Sequence, residues 1–144
     1  MTNEARIIHL SINRPWRDVY EFAHRPQNMQ LWAAGLARGL VCDGDEWIAD
    51  GGAVGDVRVR FCPANAFGVI DHWVRLADGT VVFNALRVVA NGDGCEVMFT
   101  LLRQQNMNDA AFDHDANLVR RDLEKLKVLL ESPVRSKKPC HPRP

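Results

Sequence analysis

Apolar positions along the chain follow two periods, and the change between them divides the sequence. Near the C-terminal end, Phe112, Ala116, Val119, Leu123, Leu126 and Leu130 fall at steps of 4, 3, 4, 3 and 4, the stripe of an amphipathic helix. Asp113, Asn117, Arg120, Arg121, Glu124, Lys127 and Glu131 take the other face. Asn108 stands at the N-cap position, Asp109 and Asp113 suit the positive end of the helix dipole, and Ser132-Pro133 ends the run. The predicted helix, Asp109 to Glu131, is about 35 Å long. An apolar surface of similar length has to cover its stripe.

The segments before it supply that surface. In Arg6 to Ile12, Ile8, Leu10 and Ile12 alternate with His9 and Ser11, a half-buried strand. Asn13 is the expected cap of a helix with Pro15 in its first turn and Trp16, Val19, Tyr20 and Phe22-Ala23 on its apolar side. Pro26 heads a second short helix, PQNMQLW. Helices this short need a sheet to pack on. Beyond Gly35 the period falls to two. Strands are predicted over Leu40 to Cys42, Glu46 to Asp50, Asp56 to Cys62, Phe67 to Leu76, Thr80 to Ala90 and Cys95 to Arg103. The turn signals between them include Asp43-Gly44, Gly51-Gly52, Asp78-Gly79 and Asn91-Gly92-Asp93-Gly94. The fold class is α+β, a single domain over residues 1–132, and the basic, Pro-rich tail 133–144 is expected to be disordered.

Turn lengths predict the pairing. A loop over Pro63 to Ala66 sets Arg58 opposite Asp71 and Val57 opposite His72. A three-residue Ala77-Asp78-Gly79 loop sets Ile70 by Leu86 and His72 by Asn84. A four-residue turn at Asn91 to Gly94 sets Val88 opposite Val97 and Leu86 opposite Phe99. One face then carries Val57, Val59, Phe61, Ile70, His72 and Val74, continued by Val82, Asn84, Leu86, Val88, Val97, Phe99 and Leu101, and the long helix is expected to lie there.

This order of elements resembles the helix-grip plan of the SRPBCC superfamily. That superfamily includes START lipid-binding domains, birch-pollen-allergen-like proteins and bacterial polyketide cyclase/dehydrase-like proteins. The residues that carry the resemblance are PWRDVYEF (15–22), Asn28 and Trp32 in PQNMQLW, FGVIDHWV (67–74), RVVANGDGCEVMFTL (87–101) and DLEKLKVLLE (122–131). It spans about Ile7 to Glu131. It implies a curved seven-stranded antiparallel sheet wrapped around the C-terminal helix, with a cavity between them for a hydrophobic or aromatic molecule. Ala110, Ala111 and Ala116 thin the start of that helix, so the volume is expected near that end. The ligand-binding set expected from this plan is Trp32, Phe61, Ile70, His72, Asn84, Leu86, Phe99, Phe112 and Ala116. Trp47 is a further candidate.

Composition narrows the classes. The 144 residues carry 18 Lys and Arg against 18 Asp and Glu, for a formal net charge of +0, so the basic footprint of a nucleic-acid binder is missing. No apolar run reaches the ~20 residues of a membrane span. The first residues lack the pattern of a signal peptide, and a cytoplasmic setting is expected. Cys42, Cys62, Cys95 and Cys140 show no metal-ligand spacing and are expected as free thiols.

His72 is the leading candidate for chemistry. An imidazole in an apolar pocket can be tuned as an acid or base, and Asn84 beside it could orient the ring or polarise a ligand carbonyl. A buried histidine satisfied by Asn84 is the plainer reading of the same pair. Arg58, Arg60, Asp71, Arg75, Arg87 and Glu96 read as an outer charge ladder. His114 between Asp113 and Asp115 reads as a solvated helix start, since consecutive helix positions diverge. Trp73 and Met98 on the outer face suggest a homodimer contact. Three functions are therefore carried forward. The first is binding of a small hydrophobic, lipid- or polyketide-like molecule. The second is a cofactor-free cyclase/dehydratase in which His72 moves a proton, Asn84 orients and Trp32 holds the ring. The third is a protein-interaction module like the superfamily's chaperone activators. No metal or cofactor is expected.

Overall fold

A computed structural model describes residues 1–36, 38–52 and 55–132. The expected tail over 133–144, including Cys140, lies outside the described residues. The strands are β1 (Ala5–Ile12), β2 (Leu40–Asp43), β3 (Glu46–Asp50), β4 (Asp56–Phe61), β5 (His72–Arg75), β6 (Val81–Asn91) and β7 (Gly94–Leu102). The helices are α1 (Trp16–Ala23), α2 (Pro26–Trp32) and α3 (Asp109–Glu131), with a 3-10 turn at Ala34–Leu36 after α2. All seven strands form one antiparallel sheet in the order β1-β7-β6-β5-β4-β3-β2. This is the helix-grip arrangement.

Helix α3 has the bounds its stripe predicts, and the Asn108 side chain accepts a hydrogen bond from the Ala111 N–H at 2.8 Å. Phe112, Ala116, Leu123, Leu126 and Leu130 are buried. Each large apolar side chain of that set contributes ~1.5–3 kcal/mol by leaving water. The helix packs on β1 and β7, and polar clamps hold it along β1. Arg6 pairs with Asp113 at 2.6 Å, and Lys127 Nζ donates to the Ser11 carbonyl at 2.7 Å. At the C-terminal end, the Asn13 N–H donates to Glu131 Oε2 at 2.7 Å and Arg14 Nη1 donates to the Leu130 carbonyl at 2.7 Å, which suits the negative pole of the helix. Asn13 is thus a tie to α3 rather than the cap of α1. Pro15 holds the N-cap of α1, with no side-chain cap bond.

Two of the three predicted registers are present: His72 pairs with Asn84, Leu86 with Phe99 and Val88 with Val97. The β4–β5 register is different. Arg58 pairs with Arg75 and Phe61 with His72, so the connection is longer than Pro63 to Ala66. The displacement is even, which changes the partners and keeps the side chains of β5 on their expected faces. The predicted strand Phe67 to Leu76 is interrupted for the same reason. Its ordered part before His72 touches β6 through a bridge between Val69 and Arg87.

Two side chains organise this connection. Asn65 Oδ1 accepts from the Phe67 and Val69 N–H groups, its Nδ2 donates to the Pro63 and Val69 carbonyls, and its own N–H donates to Tyr20 Oη on α1. Asp71 is 7% exposed, so it leaves the outer ladder in which the pattern placed it. Its Oδ1 accepts from the Leu86 N–H at 3.0 Å, and its carboxylate takes both Arg87 Nε and Nη2, at 3.2 and 2.8 Å. Gly68 has φ +75°, and a Cβ there would collide with the Val88 carbonyl.

The remaining ladder charges are superficial. Arg58 pairs with Asp43 and Glu46, Arg75 with Glu46, and Glu96 accepts from Ser11. Cys95 is buried, Cys62 half-buried and Cys42 exposed, all as free thiols.

Candidate functional site

The dense core and the free volume occupy different halves of the molecule. Ile8, Ile12, Val88, Val97 and Leu101 pack with Phe112, Leu126 and Leu130 at the β1–β7–β6 side. Toward β4 and β5, α2 and the 3-10 turn do the covering, and a cavity of ≈ 400 Å³ remains. Small-molecule sites span about 300–1,000 Å³. The sheet contributes Val57, Val59, Val74, Leu86 and Phe99, together with His72 and Asn84. Met29, Trp32 and Leu36 wall it from the side of α2, and α3 contributes Val119, Asp122 and Leu123.

The cavity thus borders the middle of α3, not its alanine-rich start. Ala110 and Ala111 are exposed and Ala116 is buried in the core. Small residues open volume only where the helix faces the sheet across a gap, and the first turns of α3 do not.

Of the nine candidate ligand residues, Trp32, His72, Asn84, Leu86 and Phe99 line the cavity together. Phe61, Ile70, Phe112 and Ala116 do not. Ile70 and Ala116 are core residues. Phe112 lies in the core with the guanidinium of Arg6 4.4 Å and that of Arg103 5.6 Å from its ring centroid. Phe61 is half-buried beside His72, its ring 5.6 Å from that of the histidine. Trp47 pairs with Val59 across β3 and β4 and is not part of the wall. On the outer face, Trp73 keeps 36% exposure, packing on Phe83 at 5.2 Å with Arg60 over its ring.

His72 Nδ1 lies 3.0 Å from the Ile70 carbonyl, which can only accept, so Nδ1 carries the proton. Nε2 then presents a lone pair 3.4 Å from Asn84 Nδ2, a long contact in which the amide donates. This order fixes both the tautomer and the amide orientation. Burial lowers the pKa of His72 from the ordinary 6.5, against weaker raising effects of the Ile70 carbonyl and Asp71. The ring is neutral at neutral pH.

Asp122 is the residue the stripe did not single out. It falls on the spacing Val119, Asp122, Leu126, a carboxylate on the apolar side of the helix, and that spacing was the available signal. Its Oδ1 accepts from the Ala34 N–H at 3.1 Å, and burial raises its pKa. The indole Nε1 of Trp32 is buried and meets no acceptor among the described residues, an arrangement that costs ~1–3 kcal/mol.

The histidine assignment has a measurable consequence. Below pH 6.5 the unfolded chain protonates His72 and the folded chain resists, so its contribution to stability is complete above that pH and is lost as pH falls toward the lowered folded value. An NMR titration is expected to leave the His72 ring neutral as pH passes 6.5. A midpoint at or above that value contradicts the assignment.

Comparison with known proteins places the fold. DynU16, a protein of the dynemicin biosynthetic locus, superposes with a TM-score of 0.68 at 11% identity over 90% of this chain and 48% of its own. The present chain therefore spans about half the length of DynU16. CalU16 from Micromonospora echinospora superposes with a TM-score of 0.65 at 13% identity, covering 92% of this chain and 80% of that one. Ara h 8.0201 superposes with a TM-score of 0.63 at 10% identity, covering 90% of this chain and 98% of that one. Neither a protein-family model nor a curated protein sequence matches the chain.

Proposed function

We propose that the chain binds a small hydrophobic or aromatic molecule, lipid- or polyketide-like in character, in the cavity between the sheet, α2 and α3. The observation that carries this reading is the cavity itself: ≈ 400 Å³ of space walled mainly by apolar side chains, with His72, Asn84 and Asp122 as isolated polar points. An apolar wall around a few placed polar groups favours an apolar body with a recognised polar substituent. The occurrence of the same fold in a protein of a biosynthetic locus supports a small-molecule role.

Binding is favoured over proton transfer. The His72 ring is neutral, its Nδ1–H is held by the Ile70 carbonyl, and its remaining lone pair faces the Asn84 amide. A lowered pKa also makes it a weaker base. Its role in this reading is to hold Asn84 in place.

Native mass spectrometry of the freshly purified chain is expected to show an adduct that organic extraction removes. The stripped chain is expected to take up naphthalene saturably. A chain that carries no adduct and binds no apolar probe contradicts the reading.

A further inference from the structure

The polar points of the cavity have a common sense, set by a relay through the backbone. The Ile70 carbonyl requires the proton on His72 Nδ1. The lone pair on Nε2 requires an N–H from Asn84. Asn84 Oδ1 is then left as an acceptor with no protein partner among the described residues. Asp122 repeats the pattern on the opposite wall. One of its oxygens takes the Ala34 N–H, and the other has no partner among the described residues. The Trp32 indole N–H is buried and exposes no surface to the free space. Among the described residues that line the cavity there is no Lys or Arg. Among the described lining residues, the spare side-chain donor is thus the second N–H of Asn84.

We propose that the cavity selects an uncharged ligand that donates a hydrogen bond, a hydroxyl or N–H on an apolar skeleton, and rejects the corresponding carboxylate through Asp122. This rests on the binding function proposed above and adds the ligand's polarity to it. A hydroxyl satisfies an acceptor that is otherwise desolvated when the apolar skeleton fills the space. A carboxylate brings a second negative charge toward Asp122, where Lys125 on the same helix offsets only part of it and no described lining residue is a cation. Burial raises the Asp122 pKa against weaker lowering by the Ala34 N–H and Lys125, in keeping with surroundings that disfavour a further negative charge.

The test is isothermal titration of the full chain near neutral pH with naphthalene, naphthol and naphthoate, the last two substituted at the same ring carbon. Naphthol is expected to bind more tightly than naphthalene, and more tightly than naphthoate by about tenfold. Asp122→Asn keeps an acceptor for the Ala34 N–H. It is expected to tighten naphthoate binding by about tenfold relative to the binding of naphthalene by the same variant. Naphthoate binding the native chain as tightly as naphthol, or indifferent to Asp122→Asn, overturns the selection while leaving the cavity as a binding site. Failure of all three probes to bind removes the binding function and the selection with it.

Discussion

Phe112→Ala is expected to destabilise the fold by about 3–5 kcal/mol, read as a fall in the denaturant midpoint at unchanged slope. The side chain is 0% exposed. It sits in the first turn of α3, where the helix must seat against the dense half of the sheet. Truncation removes the apolar contact and leaves a space that neighbouring elements cannot fill, since Arg6 and Arg103 stack on this ring and are tied to Asp113, Glu4 and Asp109 at the surface. The same variant separates two roles for the residue. The helix-grip resemblance implied a ligand contact, and the structure places the residue in the core away from the cavity. Naphthalene affinity measured well below the melting temperature is therefore expected to change little. A loss of affinity with stability intact would contradict this placement.

Asp71→Ala is expected to cost about 2–3 kcal/mol, most of it from the Leu86 N–H, which would lose its acceptor inside the sheet. The Arg87 pair contributes less, because the arginine side chain is 51% exposed and solvent screens it. Asp71→Asn keeps an acceptor for the Leu86 N–H and is expected to lose about half as much or less. Hydrogen exchange at the Leu86 amide reports this locally: fast exchange in the alanine variant and retained protection in the asparagine variant. Equal losses in the two variants would show that the ion pair, rather than the backbone acceptor, holds the connection.

These two residues also mark where the sequence pattern was readable. Phe112 belongs to a stripe of local spacing, and the helix has the expected bounds because its cap, stripe and stop lie within its own residues. The hairpins at Asp78-Gly79 and Asn91 to Gly94 were readable for the same reason, since short turns fix register. The β4–β5 connection was not. It depends on Asn65 reaching five groups and on Asp71 supplying the acceptor for the Leu86 N–H of β6, neither of which has a periodic signature. The alternation of His72 survived that error because the displacement was even.

The site was readable in part for a related reason. Trp32, His72, Asn84, Leu86 and Phe99 come together because strand alternation assigns a face regardless of exact register. Where the volume lies along α3 depends on how the helix crosses the sheet, and small residues at its start carried no information about that angle. Asp122 was in view as a carboxylate at stripe spacing, and its meaning depends on the Ala34 N–H and the cavity beside it.

The central claim is that the free space between β4–β6, α2 and the middle of α3 is where a small apolar molecule goes. The direct measurement is a two-dimensional NMR titration of the chain with naphthalene, following backbone amides, methyl groups and the tryptophan indoles. Saturable shifts are expected at the Val59, Val74, Leu86 and Leu123 methyls and at the Trp32 indole, with the Trp73 indole and the Ile7 methyls on the outer surface unmoved. Shifts centred on Trp73, or no saturable shift at the cavity residues, would contradict the account.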